Sequence, residues 1–209
     1  MEQSTINFKE IRESFSYSEY QSMVFNLAEQ GIVTGEVQSE ALLNNTQLNL
    51  HRMKRIDKRA ELNEELIATL KKIEFPVDWF VLTEGWCGDA SQILPYLNKM
   101  AKANSNINLK LILRDDHPEI MNAYLTNGGK AIPKLIIVDP ETGEELGNWG
   151  PRPENIQNEV SKLKAADPEN FKANLGKMLH TWYGKDKGQS VQAEMQKLIN
   201  NQLLALESF

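Results

Sequence analysis

The hydrophobic pattern of this chain changes period at Pro76, and that change limits what it can build. Directly after the proline, Val77-Asp78-Trp79-Phe80-Val81-Leu82-Thr83 is a short run rich in β-branched and aromatic residues. Such a run is the signature of a buried strand. It leads straight into Trp86-Cys87-Gly88-Asp89-Ala90. From Gly88 to about Ala103, residues Ile93, Leu94, Leu97 and Met100 then fall on one face of a helix, in spite of Pro95, which predicts a kink.

A strand at Ile107 to Leu113, a short helix opened by Asp116 and Pro118 and a strand at Lys134 to Val138 follow. Asp139-Pro140-Glu141-Thr142-Gly143 predicts a hairpin turn into an edge strand, Glu144 to Trp149. A helix begins near Pro153, with Ile156, Val160 and Leu163 on its apolar side. The order β-α-β-α-β-β-α over residues 77–165 predicts an α/β sheet with helices on both faces.

Residues 1–75 read as helical. Ser16 with Glu19 fits a capping box, Tyr20, Met23, Val24 and Leu27 have helical spacing, and Gly31 marks a stop. A second periodic stretch starts near Ser39 and runs to Phe75-Pro76, with a break expected at Asn44-Asn45. The segment from Asp167 reads as two helices, interrupted over Gly184–Gly188 and resumed at Ser190. The organisation expected is a helical extension over 1–75, a central domain over 76–166 and a helical extension over 167–209 packed on that same domain.

With 41% hydrophobic and 25% charged residues the composition is that of a folded globular chain, not a disordered or fibrous one. The net charge of −6 gives no general attraction to nucleic acid or to anionic membrane. The basic run from His51 to Arg59 is spread over more than two helical turns and reads as a solvated helix face. No stretch approaches 18 apolar residues and Met1 to Asn7 lack the features of a secretory signal, so a cytoplasmic location is expected. His51, His117 and His180 have no ligand spacing, and neither a metal nor a cofactor is expected.

The single cysteine is either an inert core residue or a reactive thiol. A cysteine after a strand and at the first turn of a helix sits at the positive end of the helix dipole, among N–H groups that can stabilise a thiolate. Cys87 has that placement. Gly88 allows close backbone approach, and Trp86 offers a flat apolar surface beside the sulfur.

Residues 77–165 resemble the thioredoxin family. The strand order matches, and WCGDA is similar to the tryptophan-cysteine-x-x-cysteine motif with one cysteine kept. Pro95, eight residues after Cys87, resembles the proline that kinks the family's active-site helix. Ile132-Pro133, with the proline 46 residues after Cys87, resembles its cis-proline loop. Gly150 is similar to the glycine bordering its substrate groove. The resemblance implies a thioredoxin-like fold, a catalytic Cys87 and a substrate groove made by Trp86, Gly88, Asp89, Ile132, Pro133 and Gly150.

Three departures bear on the chemistry the resemblance implies. Ala90 stands where the resolving cysteine belongs, so no internal thiol can release a mixed disulfide. Val81 stands where many thioredoxins carry a buried aspartate, with Glu84 as a substitute candidate. Asp89 opposes ionisation of Cys87 by like-charge repulsion, whereas Lys134 after Pro133 could favour it. Two functions follow. In one, a monothiol oxidoreductase attacks protein or low-molecular-weight disulfides through Cys87 and is resolved by an external thiol. In the other, a redox-inactive scaffold binds a protein strand in the same groove.

Overall fold

The computed structural model describes residues 6–11 and 13–205. Helix α1 spans Tyr17–Glu29, and Ser16 caps it in the expected box: the Glu19 N–H donates to Ser16 Oγ and the Ser16 N–H to the Glu19 carboxylate. Helix α2 runs unbroken over Glu40–Arg59, capped by Ser39. The break expected at Asn44-Asn45 is therefore corrected; it falls at Ala60–Asn63, where Asn63 caps α3 (Glu64–Leu70). Asparagine costs a helix interior only a fraction of a kcal/mol, and the buried contacts of Thr46, Asn49 and Met53 hold the helix through it.

Strand β1 (Val77–Thr83) is buried along its whole length. It pairs in parallel with β2 (Ile107–Leu113) and antiparallel with β3 (Lys134–Val138), which pairs antiparallel with β4 (Glu145–Trp149), giving the order β2-β1-β3-β4. The sheet is thus mixed, with helices on both faces. Between the strands lie α4 (Gly88–Lys102), which contains Pro95, and α5 (Pro118–Ala123). The turn into β4 closes as expected, with the Gly143 N–H on the Asp139 carbonyl and the Asp139 side chain accepting from Glu141 and Thr142. Phe15 and Leu111 exchange backbone hydrogen bonds at 2.8 Å, so the segment before α1 covers the outer edge of β2.

After β4 come α6 (Glu154–Ala166), α7 (Phe171–Asp186) and α8 (Gln189–Leu198), the last continuing as a π-turn over Ile199–Leu203. Lys187 and Gly188 are both left-handed and turn α7 into α8. A Cβ on Gly188 would enter the Tyr96 ring, so the chain crosses α4 there at a distance that only glycine allows. The hydroxyl of Tyr96 locks the crossing by donating to the Lys187 carbonyl at 2.6 Å. One core joins these layers: Trp79, Phe80 and Leu82 from the sheet, Ile93, Leu94 and Leu97 from α4, Leu66 and Leu70 from α3, and Met195 and Ile199 from the C-terminal segment.

Candidate functional site

Cys87 is the N-cap of α4. Its sulfur accepts from the Ala90 N–H at 3.5 Å and donates to the Ile132 carbonyl at 3.2 Å. The Ile132-Pro133 peptide is cis, as the resemblance implies, and Ile132 is 5% exposed. Gly150, with φ +111°, lies against the Pro133 carbonyl so closely that a Cβ would collide with it. The fold thus brings Trp86, Cys87, Gly88, Asp89, Ile132, Pro133 and Gly150 together at the carboxyl end of β1.

Of the two states left open for the thiol, its surroundings favour the buried one. Cys87 is 8% exposed. Burial pushes its thiol up to about 12, with Asp89 adding in the same direction, while the Ala90 and Asp89 N–H groups and Arg152 offset only part of the rise. The helix end does act as expected, but desolvation outweighs it.

Asp89 explains the burial. Its Oδ1 accepts from the Tyr183 hydroxyl at 2.7 Å and its Oδ2 is ion-paired with the Arg152 guanidinium, which also reaches Gln157 at 3.1 Å. Both ions are nearly withdrawn from water, with side-chain exposures of 13% for Arg152 and 7% for Asp89. From the other side, Arg52 on α2 lies over Gly88, where a Cβ would stand 3.9 Å from its Nη1. That Nη1 donates to Asn49, whose amide donates to the Gly85 carbonyl at 3.0 Å, and Nη2 meets His180 of α7. Burial and the neighbouring guanidinium lower the His180 pKa, so the ring is neutral and accepts from Arg52. Helices α2 and α7 together close over the Gly88-Asp89 turn beside the cysteine.

Trp86 is half-buried. Its indole N–H donates to the Thr34 carbonyl at 3.1 Å and the Arg114 guanidinium lies 4.8 Å from its ring centre. Glu84 is fully buried. Its Oε1 accepts from the Asp115 N–H at 3.0 Å and its Oε2 has no hydrogen-bond partner among the described residues. Burial raises its pKa, although Thr34 and the Asp115 N–H act against the rise. Lys134 is buried and its pKa is lowered by that burial, with Glu145 of β4 opposing; the cation acting on Cys87 is Arg152. Arg152, Tyr183, Arg52 and His180 escape a reading of the sequence because they lie outside the motif; only the position of Arg152 two residues beyond Gly150 hints at its place.

Among the described residues no group of three His, Cys, Asp or Glu side chains could hold a metal ion, and no helix is long and apolar enough to cross a membrane.

A mixed sheet with a cysteine at the first turn of the following helix, facing a cis-proline loop, defines a thioredoxin-fold protein. The chain belongs to the thioredoxin family, which it matches over residues 35–165, more than half of its length. The match reaches back through α2 and α3. Among known structures, a protein of unknown function from Pseudomonas aeruginosa is similar in fold, with a TM-score of 0.53, 17% identity, and coverage of 89% of this chain and 98% of the other. An HIV epitope-scaffold is similar at a TM-score of 0.52, 18% identity and the same coverages. At such identities the likeness is one of fold alone. No curated protein sequence matches the chain significantly.

Proposed function

We propose that this thioredoxin-family protein binds an extended protein segment beside Trp86, Ile132-Pro133 and Gly150 without turning over a disulfide. The observation that carries this reading is the state of Cys87: buried, protonated, and with Ala90 where a resolving thiol would be needed. With its pKa pushed up to about 12, very little of the thiol is ionised at neutral pH. Because the thiolate is the nucleophile, attack on a disulfide is slowed in proportion. Val81 leaves β1 without an acid at the position where many thioredoxins transfer protons. The groove keeps features suited to binding. Trp86 and Gly150 are half-exposed on either side of the buried Ile132-Pro133 loop, leaving surface on which an extended strand can lie.

A second reading, the monothiol oxidoreductase, is favoured by one observation: the sulfur keeps its place between the α4 N–H groups and the cis-proline loop. If the α2 and α7 cover lifted, the thiolate would attack a disulfide, release one partner thiolate, and await an external thiol. Alkylation of Cys87 as a function of pH separates the two. The binding reading expects slow reaction that climbs only at strongly alkaline pH, and no glutathionyl adduct by mass spectrometry after incubation with glutathione disulfide at pH 7. A midpoint near the ordinary value of about 8.5, with rapid adduct formation, would sink it. A peptide selected for binding should also shift the Trp86 indole resonance equally in the natural protein and in Cys87→Ser.

A further inference from the structure

Helices α2, α4 and α7 line a half-open cavity of about 450 Å³, next to the cysteine site through Tyr183 and within the size range of small-molecule sites. Its rim is cationic. Arg55 and Arg59 stand four residues apart on one face of α2, and Lys187 closes the opposite side from the left-handed end of α7. Among the described residues none of these three cations forms an ion pair; the five ion pairs present lie elsewhere, and Glu61 is the only carboxylate on the lining. In a chain of net charge −6, three exposed cations against one carboxylate leave this concavity positive.

The interior carries a second, independent signal. Gln92 of α4 is 7% exposed and lines the cavity, yet its side-chain amide makes no hydrogen bond within the described chain. The amide opens onto the cavity, since the fully buried side-chain atoms without partners among the described residues are Trp79 Nε1 and Glu84 Oε2. Here both its donors and its acceptor are available to a molecule seated in the cavity. Ile56 and the rings of Tyr96 and Tyr183 supply apolar wall between the amide and the arginines.

We infer that this cavity binds a small organic phosphate, with its phosphoryl group between the Arg55 and Arg59 guanidiniums and its apolar body on Ile56 and the tyrosines, reaching Gln92. Two guanidiniums at helical spacing match the oxygens of a phosphoryl group better than a lysine pair would, because each presents a planar fork of donors. A compact, half-open concavity on an acidic protein suits a small molecule rather than a nucleic-acid strand. The inference stands apart from the chemistry of Cys87 and uses none of it.

Phenyl phosphate serves as the probe, with phenol, inorganic phosphate and a short single-stranded oligonucleotide as comparators, followed by amide NMR and calorimetry on the full chain. The expected result is saturable binding of phenyl phosphate that shifts the Gly184 and Gly188 amides, with phenol and inorganic phosphate weaker. Arg55→Gln and Arg59→Gln should each weaken binding about tenfold or more, the loss of a charge-assisted hydrogen bond. Gln92→Leu should weaken it too, with an unchanged melting temperature for the arginine variants establishing that they fold. Absence of shifts at those amides, equal affinity for inorganic phosphate, indifference to the arginine changes, or tighter binding of the oligonucleotide through the same arginines would each overturn the inference.

Discussion

Tyr183 donates its phenolic hydrogen to Asp89 Oδ1 at 2.7 Å, tying α7 to the first turn of α4 from 94 residues further along the chain. This bond and the Arg152 pair on Oδ2 convert a motif aspartate into the anchor of the C-terminal segment, and they close the space beside Cys87.

Replacing Asp89 should therefore do two things. Asp89→Asn leaves the Arg152 charge without a counter-ion in a site where its side chain is 13% exposed, and breaking such a pair from one side costs about 3–5 kcal/mol. Urea unfolding measures that loss. Tyr183→Phe removes a single bond to a charged acceptor and should cost about 1.5–3 kcal/mol, and the double variant should cost less than the sum of the two. The same Asp89→Asn change removes a negative charge beside the sulfur, so the Cys87 pKa should fall. It should stay above the ordinary thiol range, because burial is the larger cause.

Cys87 should also write itself into the pH dependence of stability. A thiol raised to about 12 in the folded state binds its proton more tightly than the unfolded chain does. Its stabilisation is complete below the unfolded value of about 8.5 and is lost as pH climbs from there toward 12. Cys87→Ala should flatten the fall in unfolding free energy across that alkaline window. An identical slope in both proteins would contradict the burial described for the thiol.

Glu84 makes the opposite end of the scale informative. Its carboxyl is raised by burial, so the protonated form is the one the fold favours, and its contribution is complete below the unfolded value of about 4.3 and declines as pH rises through the folded value. Glu84→Gln mimics the protonated form at every pH. It should be more stable than the natural protein at neutral pH, and the advantage should shrink in acid. Thermal melting at a series of pH values reads this directly.

Two glycines in α7 and its turn should respond in opposite ways. At Gly188 the left-handed backbone and the Tyr96 ring both exclude a Cβ, so Gly188→Ala should cost about 2 kcal/mol or more. At Gly176, inside the helix with nothing within 4 Å of a built Cβ, Gly176→Ala should stabilise by about 0.5–1 kcal/mol. Comparing the two melting temperatures isolates the close crossing of α7 over α4.

Local chemistry sufficed for the fold. The change of period at Pro76, the capping box at Ser16, the turn at Asp139–Gly143 and the alternation of strands and helices are properties of short segments, and each element appears within a few residues of where its pattern places it. The one misplaced break, at Asn44-Asn45 instead of Ala60–Asn63, came from weighting an asparagine pair above the buried contacts that carry α2 through it. The same local logic put Cys87 at the start of α4, whereas Ile132-Pro133, 46 residues further on for its proline, was placed beside it only by the family resemblance. What the thiol can do was decided only in three dimensions. Exposure and pKa depend on which groups pack over an atom and on the charges they bring. Here Arg152 and Tyr183 meet Asp89 beside the sulfur and Arg52 and His180 meet next to Gly88, all from outside the motif and two of them from the C-terminal segment. A helix dipole can be read from a single helix, but desolvation is created by whatever covers it, and in this chain the cover decides the state of the cysteine.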